Sequence, residues 1–148
     1  MPGPPRKNPA WQGIEHNDVG IHEFMALCDL LDTEPYIAVN TGLGGVDNAV
    51  AELEYVNGAA STAMGALRAS HGRAEPWKVQ YWGIGNEMYG SWQLGNVPLA
   101  EYTKRHNDFV DAMRKVDPTI HPIAVGAAGE WSRTMLRDCA ERMDSISE

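Results

Sequence analysis

The sequence predicts an α/β protein with a parallel sheet. Two observations lead there. Apolar stripes of helical period alternate with short continuous apolar runs, and each run ends in a loop rich in Gly or Asn before the next stripe begins. Right-handed crossovers then bring the C-terminal ends of the strands to one edge, where α/β proteins gather their chemistry.

Residues 1–18 carry Pro2, Pro4, Pro5, Pro9, Gly3 and Gly13, and read as an extended lead-in without regular structure. A domain over 19–148 follows. Ile21, Phe24, Met25, Cys28 and Leu31 form the first helical stripe, which Glu34-Pro35 stops. Tyr36 to Val39 is a strand covered on both faces, ending in Asn40-Thr41-Gly42. Asp47 is the expected N-cap of a helix carrying Val50, Leu53 and Val56 and stopping at Asn57-Gly58. A small-residue segment leads to the second strand, Val79 to Gly85, with Asn86-Glu87 at its C-terminal end. Leu99, Tyr102, His106, Phe109, Met113 and Val116 mark the strongest helix, closed by Asp117-Pro118. Ile123 to Gly126 is a third strand, and Ser132 to Met143 a last helix. Three strands cannot close a barrel.

At 148 residues with 43% hydrophobic content, the chain is long enough to bury a core, and no apolar run approaches the ~20 residues that span a bilayer. Twelve Lys and Arg against twenty Asp and Glu, a net charge of −8, argue against nucleic acid as a partner. Cys28 and Cys139 lie in apolar helical patterns with no CxxC, and read as buried thiols of a reducing, cytoplasmic setting.

Nucleophile and metal motifs are absent: no GxSxG, no Walker loop, and His22-Glu23 lacks a second His four residues on. The histidines at 16, 22, 71, 106 and 121 are scattered and read as packing or surface residues. Gly42 to Gly45 does not match GxGxxG and reads as a turn, with a phosphate cradle as the alternative. The segment Trp82 to Gln93 remains. It places Glu87 beside Asn86 and near Tyr89 and Trp92: an acid for a leaving oxygen, an amide for a sugar hydroxyl, and aromatic faces for a ring. An N-capping Glu with core aromatics is the competing reading of the same residues.

This segment resembles the acid/base motif of the α-L-arabinofuranosidases of glycoside hydrolase family 51, which runs roughly GNEMDGPWQ. Residues 34–42, 75–79 with Tyr81-Trp82, Glu101-Tyr102, 116–118, 10–12 and 20–25 resemble family stretches in order and spacing. Tyr89 and Ser91 stand where many members have Asp and Pro. The resemblance implies part of a (β/α)8 TIM-type barrel, from about its second to its fifth helix, with about three parallel strands. It implies Glu87 as general acid/base, Asn86 as the contact to the sugar 2-hydroxyl, and Trp11 in the substrate cleft. Asn40 joins them as a substrate-binding candidate at the sheet edge, and the chemistry of the segment adds Tyr89 and Trp92, for which packing is an equal reading.

The implied reaction is retaining hydrolysis of terminal α-L-arabinofuranosyl residues in arabinose-containing oligosaccharides or polysaccharides. A neighbouring carboxylate would raise the pKa of Glu87. The family's nucleophile is a Glu on a later strand, so the chain is expected to be an internal fragment without it. Glu130, Glu141 or Glu148 would fill that role only by accident. No metal or organic cofactor is implied, and the full-length parent is expected to be a homo-oligomer. Two other readings stand beside this one: a non-catalytic pentose-binding or scaffold module, and a small flavodoxin-like domain holding a phosphate at 42–45.

Overall fold

The computed structural model describes residues 3–148. The chain divides into two units, one ending at Pro35 and the other running from Tyr36 to Glu148.

In the first unit, β1 (Arg6–Lys7) and β2 (Ile14–Glu15) form an antiparallel hairpin, with Arg6 opposite Glu15. The lead-in is therefore not devoid of regular structure. Pro4, Pro5 and Pro9 lie outside the two-residue ladder, Pro2 lies outside the described residues, and Asn8 organises the turn: its Oδ1 accepts the amides of Ala10 and Trp11, both at 2.8 Å. Helix α1 (Ile21–Leu31) starts where the Glu23 carboxylate accepts the Gly20 amide at 2.9 Å. Its buried stripe is narrower than the sequence predicts: Met25 and Cys28 are buried, whereas Leu31 is exposed.

The second unit holds β3 (Tyr36–Val39), α2 (Val46–Asn57), α3 (Ala63–Ser70), β4 (Tyr81–Ile84), α4 (Leu99–Val116), β5 (His121–Val125), α5 (Glu130–Asp138), a 3-10 turn (Ala140–Arg142) and β6 (Ser145–Ser147). Its sheet is parallel, in the order β3-β4-β5-β6. The four strands exceed the expected three. Ser-Ile-Ser carries one apolar side chain, too few to register as an apolar run.

Three other expectations shift. The N-cap of α2 is Gly45, whose amide donates to Asn48 Oδ1 at 2.9 Å, and Asp47 falls inside the first turn. The small-residue segment contains α3, capped where Thr62 Oγ1 accepts the Gly65 amide. The last helix begins two residues earlier than expected and gives way to the 3-10 turn.

Side chains alternate across the sheet, Val125 excepted, and β3 is covered on one face rather than on the two that the sequence predicts. Ile37, Val39, Trp82, Ile84, Pro122 and Ala124 are buried on one face with the helices. On the other, Tyr36 and Tyr81 remain 47% and 39% exposed and His121 and Ile123 are half-buried. Inside the core, Tyr102, Phe109, Val110 and Met113 supply the buried stripe of α4, as their spacing requires. Cys28 and Cys139 are buried and unbridged, in keeping with the sequence reading.

Candidate active site at the C-terminal edge of the sheet

Strand β4 ends at Ile84, and Gly85 turns the chain at φ +88°, a conformation that side chains with a β-carbon rarely adopt. A β-carbon there would also collide with Thr41 Oγ1. Asn86 follows, exposed and without a hydrogen-bond partner among the described residues. Glu87 itself has φ +45°, a left-handed conformation that costs a non-Gly residue energy and persists where the surroundings enforce it. They do so here through backbone bonds: the Gly90 amide donates to the Glu87 carbonyl at 2.7 Å, and the Val97 amide to the Met88 carbonyl at 3.1 Å. Met88, beside Glu87, is buried with Tyr102, Ala124, Val125 and Met135. One residue of the loop is thus anchored in the core and its neighbour is held at the rim.

The Glu87 side chain is half-buried. Its Oε2 accepts two hydrogen bonds, from Trp92 Nε1 at 2.8 Å and Gln93 Nε2 at 3.0 Å. Both donors favour the ionised form and hold the carboxyl below the usual Glu range, the Trp92 bond contributing most. The direction is opposite to that expected of a carboxyl crowded by a second carboxylate. Of the other candidates, Glu130 pairs with Thr134 and Arg133, Glu148 accepts from Ser132 Oγ at 2.7 Å, and the carboxylate of Glu141 has no hydrogen-bond or ion-pair partner among the described residues. No group of three His, Cys, Asp or Glu side chains among the described residues could hold a metal ion.

Tyr89 and Trp92 are partly exposed and meet edge to face, ring centroids 6.1 Å apart. Tyr89 also meets Trp131 of α5 at 5.6 Å, and Trp131 stacks on Tyr102 at 5.4 Å. An aromatic row therefore leads from the rim into the core. Trp92, 55% exposed, still presents surface to solvent while its indole nitrogen holds Glu87.

Asn40 follows β3 directly, and Val39 is in register with Ile84, so Asn40 and Glu87 leave neighbouring strands at the same edge. Its Oδ1 accepts the amides of Gly42, Leu43 and Gly44 at 3.1, 2.9 and 3.2 Å, leaving its amide nitrogen for any ligand. Those amides, with that of Gly45, are the ones a phosphate would need, and all four are already committed within the loop. The loops after β3 and β4 also meet backbone to backbone. A β-carbon on Gly42 would strike the Leu94 carbonyl, and one on Gly95 the Gly42 carbonyl. Trp11 belongs to the first unit, in the hairpin connection, and is 64% exposed.

Asn86, Glu87, Tyr89 and Trp92 thus share one loop. Gln93 and Trp131 were not among the residues singled out from sequence. Gln93 lies inside the segment, but Trp131 is far from it in sequence and no local pattern links the two.

A parallel sheet with a carboxylate, an amide and aromatic rings at its C-terminal edge has the layout of (β/α)-barrel enzymes. The family profile described as alpha-L-arabinofuranosidase 1 domain matches residues 3–144, and the chain belongs to that family. A probable alpha-L-arabinofuranosidase C of Aspergillus clavatus is 40% identical over 138 residues, covering 92% of this chain and 27% of that protein. An intracellular exo-alpha-(1->5)-L-arabinofuranosidase of Streptomyces lividans is 36% identical over 153 residues, 97% of this chain and 23% of that one. The crystal structure of the Thermotoga maritima alpha-L-arabinofuranosidase in complex with arabinose matches with a TM-score of 0.92 at 41% identity, over 97% of this chain and 30% of its own. The arabinofuranosidase of glycoside hydrolase family 51 from Xanthomonas axonopodis pv. citri gives 0.87 at 30% identity, again over 97% and 30%. The chain therefore spans between 23% and 30% of these four proteins. No helix among the described residues is long and apolar enough to cross a membrane.

Proposed function

We propose that this chain carries the acid/base half of a retaining α-L-arabinofuranosidase site, with Glu87 as the proton-transfer group. The observation that carries the reading is the placement of Glu87: beyond a barrel-type strand, in a left-handed backbone conformation, its carboxyl clamped at the rim. In the first half-reaction, Glu87 protonates the glycosidic oxygen while a second carboxylate, supplied from outside residues 1–148, attacks the anomeric carbon. Glu87 then takes a proton from water as that water releases arabinose from the covalent intermediate.

Asn86, exposed and without a hydrogen-bond partner among the described residues, is the donor for the sugar 2-hydroxyl. Tyr89 and Trp92 offer faces to the sugar, and Asn40 completes the proposed set of contacts. The substrate is a terminal arabinofuranosyl residue of an arabinose-containing glycan. In the 148-residue chain Glu87 is a carboxylate at neutral pH. The charge of the second carboxylate is what would raise its pKa enough to make it an acid.

The test grafts residues 1–148 into the matching segment of the Thermotoga maritima enzyme and follows p-nitrophenyl α-L-arabinofuranoside. We expect the graft to hydrolyse it and the Glu87→Ala graft to lose at least a hundredfold in rate. Azide should restore turnover in that variant by forming the arabinofuranosyl azide, because azide needs no general base. An unchanged rate in Glu87→Ala would overturn the proposal.

A further inference from the structure

Glu87 is held asymmetrically. Trp92 Nε1 and Gln93 Nε2 donate to Oε2, at 2.8 and 3.0 Å, and Oε1 has no partner among the described residues. An oxygen that accepts two N–H groups has both its in-plane lone pairs engaged, so a proton can settle on Oε2 only by expelling one donor. The two donors differ in how they would respond. Gln93 can turn its amide and offer an oxygen instead. The indole of Trp92 has no acceptor at all and cannot reverse its role. Trp92 is also braced by Tyr89, which meets its ring edge to face, so it is not free to swing away without losing that contact.

We propose that Trp92 and Gln93 are positioning residues that tie Glu87 down by Oε2 and thereby reserve Oε1 as the oxygen on which the exchanged proton travels. This rests on the reading of Glu87 as the acid/base, and it adds which oxygen does the work and what selects it. With Oε2 kept as a double acceptor in both protonation states, the neutral acid presents its O–H from Oε1 only. The carboxyl plane then keeps one orientation through both half-reactions, since neither giving up nor receiving the proton disturbs the two bonds on Oε2. Trp92 thereby has two uses: its ring edge fixes the carboxyl, and its exposed face remains available to a sugar.

The experiment is an NMR titration of the intact 148-residue chain, following the Glu87 side-chain carboxyl carbon and the Trp92 indole N–H together. The indole proton should shift with the same midpoint as the Glu87 carboxyl. It should stay downfield and slow to exchange below that midpoint, where Glu87 is neutral. In Glu87→Gln the pH-dependent indole shift should vanish. In Trp92→Phe and in Gln93→Leu the Glu87 midpoint should move upward, more in the first, with circular dichroism showing that both variants keep the native fold. An indole proton that moves to the position of a free indole below the midpoint would mean that the proton lands on Oε2, and would overturn the proposal. So would an indole signal indifferent to the titration of Glu87, or a midpoint unmoved in both variants. None of these outcomes depends on hydrolysis, so the oxygen assignment and the catalytic reading fail separately.

Discussion

The hydroxyl of Tyr102 closes the gap where β4 and β5 part: it donates to the Ile84 carbonyl at 2.7 Å and accepts the Val125 amide at 2.9 Å. The β4–β5 register runs from Tyr81↔His121 to Gly83↔Ile123, so beyond that point a helix side chain takes the place of the ladder. Burial pushes the phenol pKa up, and it stays a neutral donor at any working pH. Tyr102→Phe leaves a carbonyl and an amide unpaired in the core. We expect a loss of about 2 kcal/mol in a urea unfolding experiment. A variant as stable as the parent would show that the strands close up without the hydroxyl.

Arg68 is fully buried and makes no ion pair among the described residues. Its Nη1 donates to the carbonyls of Tyr55 and Gly58, both at 2.8 Å, Nη2 to Ala74 at 2.7 Å and Nε to Arg73 at 3.2 Å. It knits the end of α2, helix α3 and the chain that follows. Arg68→Met should cost about 3 kcal/mol by stranding several carbonyls, and Arg68→Lys should not recover the loss, because an ammonium cannot reproduce the spread of a guanidinium. Equal urea midpoints for Arg68→Lys and the parent would contradict this.

His106 gives the fold a pH dependence. It is fully buried, and its Nε2 has no hydrogen-bond partner among the described residues. Burial lowers its pKa to about 4; the Asn107 side chain and Asp111 oppose the shift, and Arg114 and Arg142 add to it. The unfolded chain binds the proton more readily, so stability is complete above about pH 6.5 and falls as the pH drops towards 4. The full loss is about 3 kcal/mol by linkage. Carboxylates held low, such as Asp117, add to acid instability at lower pH. Urea midpoints between pH 7 and pH 4 should slope downward in the parent and much less in His106→Leu.

Strands β3 and β6 each leave one hydrogen-bonding edge unpaired among the described residues, and the sheet face bearing Tyr36 and Tyr81 is open. Parallel sheets are ordinarily covered on both faces. The 148-residue chain should therefore associate with itself, its weight-average sedimentation coefficient rising with concentration. Ala38→Lys, a charge on the open face, should reduce the effect. A single monomer boundary across a hundredfold range of concentration would refute the expectation.

Much of this architecture is legible in the sequence because the signals are local and strong. The stripe from Leu99 to Val116 fixes α4, and the apolar run Tyr36 to Val39 with its Asn-Thr-Gly ending marks β3, though not the exposure of one of its faces. Short elements without a distinct apolar period escape. The helix Ala63–Ser70 owes its place to Arg68 and to Glu54, whose Oε2 accepts the Met64 amide at 2.9 Å, partners ten or more residues away. The strand Ser145–Ser147 exists because β5 offers it an edge. At the candidate site the carboxylate, amide and aromatics could be picked out as a cluster within twelve residues. The bond from Gln93 to Glu87 and the approach of Trp131 to Tyr89 arise from a loop conformation and a tertiary contact that residue spacing does not encode.

The glycine seam between the loops after β3 and β4 also bears on how such a site can diversify. Any side chain at Gly42 or Gly95 meets backbone, and backbone cannot step aside as a flexible side chain can. Each loop therefore constrains the backbone of the other along this seam. The positions free of that constraint are at its crest, where Tyr89 and Ser91 are exposed. Substitutions there can change the exposed surface of the rim, one residue at a time, while the carboxyl beneath keeps its place.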